Sequence, residues 1–119
     1  MITQIKFASI AVKDQSRALD FYTTKLGFKV LTDQPMGEEM RWIELKIGRA
    51  ESKLVLFSPP GVEPGGFSNV VFQSDDVQKT YEELVARGVE FTQGPKTEPW
   101  GTSAMFRDSE GNVLLISSK

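Results

Sequence analysis

IKFASIAVKDQSRALDFYTTKLGF (residues 5–28) is the stretch on which the fold turns. Residues 5–12 are apolar-rich and β-prone and read as a strand. Asp14 then stands as an N-cap, because its carboxylate can accept from the free backbone N–H groups of a first helical turn. Ala18, Leu19, Tyr22 and Leu26 recur at helical spacing with Phe21 beside them, which predicts a helix running to Leu26. Gly27 supplies the left-handed conformation that ends a helix. The same grammar returns in SNVVFQSDDVQKTYEELVARGVEF (68–91). It has a strand over 68–74, a cap at Asp75-Asp76, a helical stripe of Val77, Tyr81, Leu84 and Val85, and a closing Gly88.

Each strand–helix pair is followed by three further strands. In the first half these are residues 28–32, 40–48 and 53–58, with turn-rich TDQPMGEE (32–39) between the first two. MRWIELKIG (40–48) alternates, with Ile43, Leu45 and Ile47 on one face and Trp42, Glu44 and Lys46 on the other. In the second half they are 89–93, 102–108 and 112–118, with GPKTEPWG (94–101) as a loop and a turn at residues 109–112. Phe7 aligns with Asn69, Val12 with Ser74 and Asp14 with Asp76 at one constant offset, and LVLFS matches VLLIS so that Leu56 pairs with Leu115. A period of roughly 60 residues is too long for a solenoid repeat. The expected fold is therefore α+β: one domain, 1–119, of two tandem βαβββ modules (1–58 and 68–119) joined by the Pro/Gly-rich linker PPGVEPGGF (59–67). A sheet with a helix on one face only leaves its other face uncovered, so the two curved mixed sheets are expected to enclose a cleft.

Composition limits the chemistry. The chain of 119 residues has no histidine and no cysteine. An imidazole base, a His-ligated metal, a thiolate nucleophile, a disulfide and a Cys-ligated cluster are all excluded within one chain. A net charge of −2 argues against a nucleic-acid or anionic-membrane partner. No apolar run approaches a membrane span, and MITQIKFASI lacks signal-peptide features, so a cytoplasmic protein is expected.

The motifs AVKDQSRALDFYTTKLGF (11–28) and FRDSEGNVLLI (106–116), with Trp100-Gly101 between, resemble the glyoxalase / bleomycin-resistance / extradiol-dioxygenase superfamily of vicinal oxygen chelate proteins. Ser109 stands where proline is common in the second motif. The resemblance implies a divalent metal held by up to four His, Glu or Gln ligands on the first and last strands of the modules. Those positions are Phe7, Leu56, Asn69 and Leu115 here, and Val55 beside Leu56 is apolar as well. Only Asn69 offers an oxygen, whereas a cation needs several donors. The resemblance thus points to the metal-free branch, the bleomycin-type resistance proteins that bind and sequester a drug, with no metal and no cofactor.

Alternation places Phe7, Ser9 and Ala11 on the cleft side of the first strand, and Asn69, Val71 and Gln73 on that of the second module. Trp42, Glu44, Met105 and Arg107 join them by alternation, and Leu56 and Leu115 by the family alignment. Trp100 lies in a loop able to close over a ligand. The expected function is binding of a small, flat or hydrophobic molecule, stacked on Trp42 and Trp100 with Asn69, Gln73 and Arg107 as polar contacts. The alternative is a metal-independent lyase or isomerase-type enzyme with Glu44, the only carboxylate placed there, as general base. A homodimer is expected, its modules paired within or across chains.

Overall fold

A computed structural model describes residues 1–119. The chain divides into two compact units, Met1–Pro64 and Gly65–Lys119. Each is a four-stranded mixed sheet with one helical segment, in βαβββ order.

In the first unit the elements are β1 (Phe7–Ile10), α1 (Gln15–Asp20), β2 (Lys29–Met36), β3 (Met40–Lys46) and β4 (Lys53–Leu56). The spatial order is β1-β4-β3-β2, with β1 parallel to β4 and the other pairs antiparallel. Asp14 caps α1 as expected, its carboxylate accepting from Arg17 N at 3.0 Å. Beyond Asp20 the helix widens into a π-helical turn, Phe21–Lys25. There Thr23 Oγ1 donates to Leu19 O (2.7 Å) and Thr24 Oγ1 to Asp20 O (2.6 Å), and such back-bonding competes with the regular helical ladder. One face of the sheet carries the core: Ile10, Ile43, Leu45, Leu54 and Leu56 are buried, as are Ala18 and Tyr22 from the helical segment.

The second unit contains β5 (Gly66–Gln73), α2 (Val77–Ala86), β6 (Phe91–Glu98), β7 (Gly101–Arg107) and β8 (Asn112–Ser117), in spatial order β5-β8-β7-β6. Asp76 caps α2 through Lys79 N at 3.0 Å. The core face holds Ala104, Phe106, Leu114 and Ile116 with Val77 and Leu84. Phe91 stands between Tyr81 and Phe106, at ring-centroid distances of 4.7 and 5.8 Å.

Three expected boundaries are corrected. β2 runs on to Met36 through most of the stretch read as a turn, and β6 runs to Glu98 through most of the stretch read as a loop. Both are edge strands, and an edge strand tolerates Pro35 or Pro95 because its outward side needs no N–H donor. β5 begins at Gly66, inside the span read as linker.

Candidate functional site

Cross-strand register determines which side chains share a face. In the first unit Ser9 pairs with Val55 and Val55 with Glu44, so these three lie on the face opposite the core. Alternation along β1 and β3 adds Phe7 and Trp42, and Phe57 follows Val55 at the end of β4. The three rings meet there: Phe7 and Trp42 are edge-to-face at 5.5 Å, and Trp42 and Phe57 are tilted at 5.8 Å. Such pairs stabilise one another beyond simple burial and hold the indole in a fixed orientation. Phe7, Trp42 and Phe57 all remain half-buried, so the cluster is a surface platform rather than a sealed core.

Leu56 does not belong to this face. The register sets it opposite Ile10, on the core side, where it is fully buried. The physical reason lies in the alignment of the two halves. Ser9 opposes Val55 as Val71 opposes Leu115, so the equivalent of Leu115 is Val55, one residue before Leu56. The alignment by apolar pattern was off by one, which in a strand exchanges the two faces.

Glu44 lies on the platform face with its side chain 16% exposed. Lys53 Nζ is 3.8 Å from its carboxylate. Glu44 is therefore ion-paired, not the isolated carboxylate expected of a general base.

In the second unit Val71, Leu115 and Met105 lie side by side on the face opposite the core, as do Gln73, Ser117 and Ser103. Arg107 shares that face through Val113 and is paired with Glu90 at 2.7 Å. A bulge between Phe67 and Val71 takes Asn69 out of the ladder and leaves it exposed. Trp100 sits at the β6–β7 turn, 80% exposed. The candidates of each unit thus gather on one sheet face, apart from Leu56, Asn69 and Trp100.

Sequence reasoning missed two contributors. Phe57 was legible in KLVLFS, two residues beyond Val55 at strand spacing. Gln15 was not, because its role depends on a strand distant in sequence. Its Nε2 donates to Arg41 O (2.6 Å) and Leu56 O (3.0 Å), and its Oε1 accepts from Arg41 N (2.9 Å). These bonds bridge β3 and β4 next to Trp42. Arg41 itself is clamped: Nε and Nη2 donate to the two carboxylate oxygens of Asp33 (3.0 and 2.7 Å), and Nη1 donates to Ser16 Oγ (2.7 Å). These hydrogen bonds hold the Asp33 carboxyl below its usual range and push the guanidinium of Arg41 up. An open groove of about 530 Å³ runs past this clamp, lined by residues 12–17 and 39–41, and none of the expected site residues lines it.

The donor set does not suit a metal. The positions to which the resemblance would assign ligands carry Phe7, Val55, Asn69 and Leu115, and no three His, Cys, Asp or Glu side chains are grouped to hold an ion.

The fold is α+β, two βαβββ units that each leave one sheet face free of helix. The model of the Glyoxalase/Bleomycin resistance protein/Dioxygenase superfamily matches residues 4–116, and the chain belongs to that superfamily. It is 39% identical to the uncharacterized protein YetH of Bacillus subtilis (strain 168), over 98% of both chains. It is 36% identical to YurT of the same organism, over 98% of this chain and 99% of that one. Among solved structures it is similar to TnmS3, described as an antibiotic binding protein from Streptomyces sp. CB03234. The TM-score is 0.87 and the identity 38%, over 98% of this chain and 96% of that one. It is also similar to a superfamily member from Sphaerobacter thermophilus DSM 20745, with a TM-score of 0.90 and 31% identity over 99% and 98% of the two chains. No helix is long and apolar enough to cross a membrane.

Proposed function

We propose that this protein binds a small planar or hydrophobic molecule on the helix-free face of its sheets, without a metal, in the cytoplasm and as a homodimer. The observation that carries this reading is the Phe7–Trp42–Phe57 cluster, in which Trp42 contacts both phenylalanines beside Val55 and Met40 continues the same face along β3. Aromatic side chains that stay half-exposed offer flat contact area at little entropic cost, which is the composition of a small-molecule site. Similarity to an antibiotic binding protein supports binding rather than turnover. The metal-free part rests on the donor chemistry at Phe7, Val55, Asn69 and Leu115. The dimer is supported by the large apolar side chains that the second unit leaves exposed, Phe67 and Val71 on β5 and Trp100 at the β6–β7 turn.

The test is titration of purified protein with a panel of uncharged polycyclic aromatic compounds, followed by quenching of tryptophan emission and by native mass spectrometry. Trp42→Ala should weaken binding at least about threefold, the loss expected for one aromatic stacking contact. Equal affinity in the variant overturns the reading. Stoichiometric metal in the purified protein removes the metal-free part, and a monomeric mass in sedimentation removes the dimer.

A further inference from the structure

Three lysines lie in one row across the first sheet. Lys29 on β2 pairs in register with Lys46 on β3, and Lys46 with Lys53 on β4. Phe7 on β1 pairs with Lys53 and completes the row. Residues paired in register project from the same face, and neighbouring strands are about 4.8 Å apart. Lys46 alternates with Glu44 and Trp42 along β3, so the row lies on the platform face, at one edge of the aromatic cluster.

Such a row is unusual in a chain of net charge −2. Like charges directly opposite one another on a sheet repel. The only acidic group on that face near the row is Glu44, which engages Lys53 at 3.8 Å. Lys29 and Lys46 are exposed, with no carboxylate within ion-pair distance. The adjoining β3–β4 turn adds one cation and one anion, Arg49 and Glu51, and leaves the balance positive.

We propose that Lys29, Lys46 and Lys53 form an anion-binding row beside the aromatic platform, and that the ligand is a planar molecule carrying a carboxylate, sulfonate or similar anionic group. The inference rests on the platform reading above and narrows its ligand class. The rings take the flat body of the ligand, and the ammonium groups take its charge. Glu44 competes for Lys53 and so disfavours ligands whose charge sits directly over β4.

A matched pair of fluorescent probes tests it: anilinonaphthalene sulfonate and its uncharged parent, phenylnaphthylamine. The protein should bind the sulfonate more tightly than the parent by about fivefold, the size of one good exposed ion pair. The triple variant Lys29→Gln, Lys46→Gln, Lys53→Gln should lose that preference and keep its affinity for the parent. Lys79→Gln, on α2, should change neither, and Glu44→Gln should strengthen sulfonate binding. In the unsubstituted protein, raising salt from 0.1 M to 1 M shortens the screening length from about 10 Å to about 3 Å and should erase the preference without any substitution. A sulfonate preference that survives the triple variant, or that Lys79→Gln removes equally, overturns the lysine row and leaves the platform standing. Parent binding unchanged by Trp42→Ala overturns the platform, and failure of both probes to bind overturns both.

Discussion

Replacing Gln15 by alanine should destabilise the first unit far more than a half-buried polar residue ordinarily does. The β3–β4 ladder runs from Lys46–Lys53 to Glu44–Val55 and stops there. Beyond that point no further residues of the two strands are in register, and the main chains of Arg41 and Leu56 are joined through the Gln15 amide. The Gln15 amide fills the gap like an inserted peptide unit, with bonds of 2.6, 2.9 and 3.0 Å. A typical hydrogen bond contributes about 1 kcal/mol net, and leaving its partner unpaired costs about 1–3 kcal/mol when water cannot reach it. Partial access of water lowers the sum, so Gln15→Ala is expected to cost about 2 kcal/mol. For a chain of this size that corresponds to a fall in Tm of about 8 °C. Gln15→Glu is the sharper variant. It keeps an acceptor for Arg41 N but sets a carboxylate against two carbonyl oxygens, and it should cost at least as much. Urea unfolding should show a lower midpoint with an unchanged slope, and the near-UV dichroism of Trp42 should weaken as its strand loosens. A loss below about 0.5 kcal/mol in both variants, the range of ordinary surface substitutions, would refute the bridging role.

Three further outcomes follow from single contacts. Asp33→Asn should cost about 0.5–1 kcal/mol at neutral pH. Because Arg41 holds the folded carboxyl below its ordinary value of 3.8, that difference should shrink as pH falls below 3.8 and vanish once the folded group protonates, as read by urea unfolding across pH. Asp108→Ala should cost about 3 kcal/mol, because its buried carboxylate accepts from Glu110 N (2.8 Å), Asn112 N (2.9 Å) and Asn112 Nδ2 (2.9 Å), and calorimetry of the variant checks this. Gly101→Ala should cost about 1–3 kcal/mol, since its φ is +144° and a Cβ there would lie 2.6 Å from Ser118 Oγ. Adding Ser118→Gly should recover only the steric part of that loss in thermal unfolding.

The sequence made the architecture legible because its signals are local. Asp14 and Asp76 cap where their helices begin, and the stripe of Ala18 and Tyr22 is buried as its spacing requires. The FRDSEGN motif is local in the same way. Asp108 and Asn112 bond each other across the turn, and Asn112 Oδ1 accepts from Gly65 N at 2.8 Å, anchoring the start of the second unit. These recognisable residues fix turns, so they identify the superfamily and carry no information about its ligand. The misreadings were of another kind. Pro35 and Pro95 read as loop residues because a sequence does not show which strands stand at a sheet edge. Leu56 was assigned to the wrong face because one residue of slip between two apolar strands costs nothing in pattern. The lysine row was invisible for the same reason, since Lys29, Lys46 and Lys53 are far apart in sequence and meet only through register. Register is set by turn geometry and by burial of the core face. The opposite face takes whatever alignment results and is free to vary in chemistry. The chemistry of the helix-free face is thus set by cross-strand rows, and a change at Lys29 or Lys46 alters that chemistry without disturbing any residue by which the superfamily is recognised.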